Sequence, residues 1–437
     1  MRAGGGAWSG TRRMPELPSL DTVAKAAANL WDSTLGGGVA DFRRTPASII
    51  DEAPHRTVYR YLIADERRMT NTPVLLVPPL AVPATAFDLR RGCSVAEHLI
   101  ATGHATYLVD YGEIAFSDRD LGLEHWVDDI IPTSVNRVSR DADGAHVHLV
   151  GWCLGGILSL LAVAGRDLPV ASVSMIASPF DSAQVRIMAP LRPVANVTGG
   201  RVGTALYRVL GGAPAPLVKR GFWLTGIDKH LTKPIVLARN LADREFLAQV
   251  EAVDRFTSNM VAYPGRTFGQ LYHRFFRINE LADGRLDLTE RSIDLEDVTV
   301  PVLAIAGSSD VLAPRPAVHH VGGLLPNAAE VRLETAPGGH LGVLTGRGAV
   351  RGSWRYLDDF LSDHDVGLEK STSDGAAKGR PRKRPAKRAP ARAKTSRPKT
   401  PAKPKTATKA KTGGRANTAS RARAKPGDGA GARAAEG

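Results

Sequence analysis

The chain has 437 residues, 43% of them hydrophobic, and a formal net charge of +14, enough apolar material for one large α/β body. Its two cysteines, Cys93 and Cys153, have no C-x-x-C spacing; this excludes a disulfide framework and a thiolate metal site and suits a reducing cytoplasm. No run of 18 apolar residues occurs and no apolar stretch follows Arg12 and Arg13, so neither a membrane span nor a secretory leader is expected.

Residues 1–56 are weakly patterned, with one short helix predicted from Leu20 to Trp31, Asp21 near its start. From Val58 the chain turns strand-like: Val58–Ile63 is β-rich, and Pro73–Val77 is an apolar run stopped by Pro78 and Pro79. Short apolar runs bounded by turn residues fit buried parallel strands. A helix is predicted from Ser94 as N-cap to Thr102, with Gly103 as its stop, and a strand from Ala105 to Asp110. An amphipathic segment, Leu123 to Val138, carries Trp126, Ile130 and Ile131 on one face, and Pro132 is expected to break or kink it.

The next stretch, Val147 to Leu158, organises the rest. A β-rich run ends at Gly151, Cys153 follows two positions later, and Gly155 and Gly156 open a helical pattern. This is a G-x-nucleophile-x-G elbow with cysteine in the serine position. A nucleophile on so sharp a strand-to-helix turn sits in strained backbone, and its neighbours must lack bulk. The helix that follows aims its free N–H groups at the sulfur, which favours thiolate.

Strand patterns resume at Val170–Ile176, Val300–Ala306 and Glu330–Leu333, with a closing helix near Arg351–Leu361. Strands alternating with helices at this spacing indicate βαβ units and a parallel sheet. Between them, residues 182–295 are rich in proline and aromatics and read as a mostly helical cap over the sheet.

Two signals fall where an elbow fold needs them. Asp310 ends one late strand pattern after Gly307-Ser308-Ser309, and His340 sits in Gly338-Gly339-His340-Leu341-Gly342 after the next. The order Cys153, Asp310, His340 is the nucleophile–acid–histidine order of α/β-hydrolases. His340 must reach the sulfur to take its proton, and Asp310 must hold the imidazole and stabilise the imidazolium. Taken singly, Asp310 also suits a turn or N-cap. One oxyanion donor is expected from the N–H of Leu154. The second should come from the loop after an early strand; Pro78 and Pro79 have no N–H, leaving Leu80 or Ala81. His146 and His148 read as structural, on one face of the elbow strand, and His319 and His320 as surface. No cluster has metal-ligand spacing.

From about Thr57 to Leu361 the chain resembles polyhydroxyalkanoate synthases, especially the short catalytic subunits of the two-component type. The likeness rests on Pro73–Val77, Phe87–Val95, Tyr107–Gly112, Gly151–Gly156, Gly338–Gly342 and, in the cap, Pro264–Phe268 through Phe275–Leu281. Departures are Phe256, where the family has tryptophan, and the proline-rich loop at Pro78-Pro79. The resemblance implies an acyltransferase in which Cys153 is acylated by a 3-hydroxyacyl-CoA and passes the acyl group to a hydroxyl. It makes His340 the base, and Asp310 the support of His340 or the activator of the incoming hydroxyl. Coenzyme A thioester then enters as substrate, no resident cofactor or metal is implied, and a homodimer or a partner subunit is possible. A thioesterase or polyester depolymerase of the same fold, which lets water in, is the alternative. A non-catalytic granule- or nucleic-acid-associated protein is the third.

The basicity lies at the end. Residues 366–437 hold 21 Lys and Arg against 4 Asp and Glu, leaving a net charge of −3 on residues 1–365. So little apolar surface cannot offset chain entropy, and this tail is expected to be disordered. Its Lys and Arg, spaced by Ala, Pro and Thr, suit contact with DNA or a polyester granule. The expected organisation is an N-terminal extension (1–56), an α/β-hydrolase-like catalytic domain (57–365) with its cap at about 182–295, and a disordered basic tail (366–437).

Overall fold

In the computed structural model, which describes residues 19–63, 69–185, 212–224 and 227–365, the apolar runs pair into one eight-stranded sheet. Its strands are β1 (Ala47–Ala53), β2 (Arg56–Tyr61), β3 (Asn71–Val77), β4 (His104–Asp110), β5 (Val147–Trp152), β6 (Val170–Ile176), β7 (Val302–Gly307) and β8 (Val331–Ala336). They lie in the order β1-β2-β4-β3-β5-β6-β7-β8. β2 runs antiparallel to both β1 and β4, and the remaining pairs are parallel. This is the α/β-hydrolase architecture, with the elbow strand β5 at the centre.

β5 is buried at every position and β3 at all but its first, so both faces of the sheet are covered. α3 (Ile131–Asp141) and α4 (Leu154–Gly165) pack on each other and on β3 and β5. α2 (Val95–Ala101) is capped by Ser94, as its sequence predicts. It is joined to the closing helix, α9 (Ser353–Asp363), by a 2.8 Å hydrogen bond between His98 Nε2 and Asp358.

The structure corrects four expectations. The sheet begins at Ala47, before the boundary at 57. β1 is a half-exposed edge strand whose alternation of exposed and half-buried residues changes phase at a register shift between Ile49 and Asp51, and it turns into β2 through His55 at φ 55°. Pro132 does not break the amphipathic segment. A π-helical turn, His125–Ile130, runs directly into α3 next to Pro132, a local change of helical register of the kind that accommodates a proline inside a helix. His146 is exposed while His148 is buried, because the strand starts only at Val147. The His148 ring accepts or donates at 2.8 Å to Ser172, and burial pushes its pKa down to about 3. His319 and His320 are half-buried, each bound at 2.9 Å to a backbone carbonyl, of Glu334 and Ala282.

The insertion after β6 is mostly helical where it is described, with α5 (Ala215–Leu224), α6 (Ile227–Arg239), α7 (Arg244–Ser258) and α8 (Gly265–Gln270). It also holds two short antiparallel pairs, Gly212–Ala213 with Tyr263–Pro264 and Arg285–Asp287 with Ser292–Asp294. Polar bonds tie it to the body. Trp126 Nε1 donates to Thr267 Oγ1 at 3.1 Å, and Gln270 donates to Glu124 at 3.1 Å. The N-terminal helix α1 (Leu20–Thr34) belongs to the cap side: Asn29 donates to the Leu241 carbonyl at 2.8 Å, and Glu251 accepts from Val39 at 2.7 Å. Residues 186–211 of the cap and the tail from 366 onward lie outside the described residues.

Candidate active site

Cys153 stands between β5 and α4 with φ 53° and ψ −122°, a region that costs a non-glycine residue about 1–3 kcal/mol. The neighbouring strand holds it there: Cys153 N–H donates to the Ile176 carbonyl at 2.8 Å, and Ser178 Oγ donates to the Cys153 carbonyl at 2.7 Å. The glycines around it are required by close approach. A Cβ at Gly155 would collide with the carbonyl oxygens of Val77 and Pro78, and one at Gly151 with the backbone of Gly156. Sequence, strain and packing thus all expose one half-buried sulfur at the C-terminal edge of the sheet.

Asp310 follows β7 and is buried. Its two oxygens divide the work. Oδ1 accepts from the backbone of Leu312 at 2.8 Å and Ala313 at 2.9 Å, while Oδ2 bonds His340 Nδ1 at 2.8 Å. The turn role and the histidine-holding role, alternatives in the sequence, coexist in one carboxylate. Burial alone would raise its pKa; the His340 bond and charge and the two N–H donors outweigh that and hold it below the ordinary value.

His340 leans on two residues. Trp152 Nε1 donates to its carbonyl at 3.2 Å, the Trp152 and His340 ring centroids lie 5.3 Å apart, and Asp310 Oδ2 holds its Nδ1 at 2.8 Å. Burial disfavours the charged imidazolium, but the Cys153 and Asp310 charges and bonds prevail and push its pKa up to about 10. The sign follows directly. The stability this pairing gives is full below the ordinary histidine value of about 6.5, and it is lost as pH rises through about 10. Denaturant unfolding of His340→Asn beside the parent should therefore show a stability gap that is widest near neutral pH and closes toward high alkalinity. A gap that widens as pH rises would contradict this ionic arrangement.

Cys153, Asp310 and His340 thus meet in one place. Leu154 is the first residue of α4, so its N–H has no acceptor within the helix. Leu80 and Ala81 lie buried in the turn after β3, with Ala81 at φ 64°. Among the described residues their N–H groups donate to no recorded acceptor.

Three neighbours escaped the sequence reading. Trp152, adjacent to the nucleophile, pins the His340 carbonyl and faces Phe256 at 6.1 Å. Tyr263, packed against the core, is raised in pKa by burial and by the charge of Cys153. Tyr111 Oη donates to the Pro78 carbonyl at 3.1 Å. Only Trp152 had a visible signal, its place inside the elbow.

No protein-family model matches the chain. It is similar to the poly(3-hydroxyalkanoate) polymerase subunit PhaC of Haloferax mediterranei, at 26% identity over 376 residues, covering 81% of this chain and 73% of that one. The subunits of the same name from Haloarcula marismortui (23%, covering 81% and 78%) and Thiocystis violacea (24%, covering 74% and 90%) are also similar. Among solved structures, mouse alpha/beta hydrolase domain-containing protein 10 matches at 16% identity and a TM-score of 0.41, covering 73% of this chain and 97% of that one.

Proposed function

We propose that this chain is a poly(3-hydroxyalkanoate) synthase-like acyltransferase, which forms a thioester on Cys153 from 3-hydroxyacyl-CoA and transfers the acyl group to a hydroxyl. The observation that carries the reading is a strained Cys153 at the elbow, whose neighbour Trp152 holds the His340 carbonyl at 3.2 Å while His340 is bound at 2.8 Å to buried Asp310.

In the proposed cycle the Cys153 sulfur, its proton held by His340, attacks the thioester carbonyl. Negative charge on that oxygen is met by the N–H of Leu154 and of Leu80 or Ala81. The bond to coenzyme A breaks and the departing thiolate takes the proton from His340. The now neutral imidazole accepts the proton of an incoming 3-hydroxyl as that oxygen attacks the acyl-cysteine. Cys153 leaves as thiolate beside a restored imidazolium, which Asp310 stabilises. A thioester intermediate suits this exchange, since it stays reactive toward an alcohol. An apolar cap that excludes water favours transfer over hydrolysis.

The reading uses the catalytic body 57–365, extended by the strand from Ala47, with the cap at about 182–295, and it needs no resident cofactor. Its proposed setting is the cytoplasm, with a second copy or a partner subunit. Purified protein given 3-hydroxybutyryl-CoA should release coenzyme A and form insoluble polymer. Release with free acid would instead make it a hydrolase, and no release a non-catalytic body.

The tail is proposed as a disordered arm that contacts DNA or the polyester granule. Its 21 basic residues neutralise phosphates without reading bases, so affinity for duplex DNA should drop steeply with salt. Deleting residues 366–437 should remove that salt-dependent binding, measured by fluorescence anisotropy, and leave turnover unchanged. Equal binding by the truncated chain would refute the arm.

A further inference from the structure

The turn after β3 is a constrained piece of backbone. Pro78 and Pro79 fix its entry, Tyr111 Oη holds the Pro78 carbonyl at 3.1 Å, and Gly155 lies hard against the Val77 and Pro78 carbonyls. Its far end is less well braced by its own sequence. Ala81 adopts φ 64°, a left-handed conformation that an alanine does not hold unaided. The brace comes from the cap: Val261 N–H donates to the Ala81 carbonyl at 3.1 Å. Two residues later, Tyr263 pairs with Ala213 in a short antiparallel bridge and feels the charge of Cys153. The segment from Met260 to Pro264 therefore braces the oxyanion turn at one end and is tied into the cap by its pairing with Ala213 at the other.

We propose that the main-chain N–H of Val261 is a positioning group for acylation: by holding the Ala81 carbonyl it fixes the turn that presents the Leu80 and Ala81 N–H groups to the developing oxyanion. The inference rests on the acyl-enzyme reading of the site. It also makes the oxyanion donors depend on the seating of the cap, so that a displaced cap leaves the sulfur competent but poorly supported.

The test separates carbonyl chemistry from sulfur chemistry. Acylation by p-nitrophenyl acetate, followed as a nitrophenolate burst, needs the oxyanion donors; alkylation of Cys153 by iodoacetamide needs the sulfur but no oxyanion. Val261→Pro, which removes the N–H, should slow the burst about 10–100-fold, the range for a misplaced catalytic group or a lost donor. KM should change little and the alkylation rate should stay within about twofold, because uniform binding and the sulfur are untouched. Val261→Ala keeps the N–H and should restore the burst to within about threefold, since the proposed bond uses only the main chain. If Val261→Pro fails to fold, an amide-to-ester exchange at Val261 removes the same N–H with the side chain intact and carries the same expectation. An undiminished burst in a folded variant, or equal losses in burst and alkylation, would overturn the proposal. A parent chain that shows the burst but never forms polymer from 3-hydroxybutyryl-CoA sinks the synthase reading and leaves this one standing.

Discussion

Cys153→Ala is expected to remove coenzyme A release from 3-hydroxybutyryl-CoA by about ten-thousand-fold or more while leaving the fold intact. Covalent catalysis splits one hard step into two easier ones, and without the nucleophile both routes close. The substitution is mild for stability. The sulfur is half-buried, and the positive φ of 53° penalises alanine about as it does cysteine. Circular dichroism and the denaturation midpoint should therefore match the parent. Release that survives in Cys153→Ala would place the nucleophile elsewhere, and a variant that does not fold would show the cysteine to be structural. Cys93 offers an internal control. It is buried, and burial pushes its pKa up to about 11, so it should resist alkylation where Cys153 reacts.

The largest effect on stability is expected at Gly155. Its Cβ position is occupied by the carbonyl oxygens of Val77 and Pro78. Neither can yield: Val77 ends β3, paired to β5 in the sheet centre, and the next two residues are prolines. Gly155→Val should cost about 4 kcal/mol or more, placing it among the exceptional single substitutions, and lower Tm by roughly 5 °C or more for a body of this size. Gly323→Ala meets no neighbour within 4 Å and should lie within about 0.5 kcal/mol of the parent, as surface changes do. Comparable losses at both positions would mean that glycine entropy, and not the collision, sets the cost.

Much of this architecture was legible in the sequence because local pattern and tertiary structure agree there. Strands buried on both faces, such as Val74–Val77 and Val302–Ala306, announce themselves as uninterrupted apolar runs. The elbow is legible because its glycine spacing around Cys153 is itself a motif, although Gly155 is required by the distant Val77 and Pro78 carbonyls. Asp310 and His340 could be located by chain order alone.

What stayed hidden depends on partners far along the chain. β1 is an edge strand held by β2 on one side only, and a register shift between Ile49 and Asp51 reverses the phase of its exposed and half-buried positions midway, so no single period runs through it. Helix α1 carries Leu20, Leu30 and Trp31 exposed and Asn29 buried, the reverse of an amphipathic pattern. The Leu241 carbonyl, at 2.8 Å, and Arg244, which donates to its Oδ1 at 3.4 Å, explain that asparagine. Val261 is equally silent: the group that matters is its main-chain N–H, which every residue but proline shares. The half-buried His319 and His320 were misread because the carbonyls that bind them lie on other elements.

One measurement bears most directly on the central claim. Protein mixed with 3-hydroxybutyryl-CoA, quenched in acid within seconds and digested, should yield one peptide heavier by the hydroxybutyryl group. Fragmentation should put that mass on Cys153, and neutral hydroxylamine should remove it, as a thioester requires. An adduct on any other side chain, or coenzyme A released with no adduct trapped at any quench time, would contradict an acyl-enzyme at this sulfur.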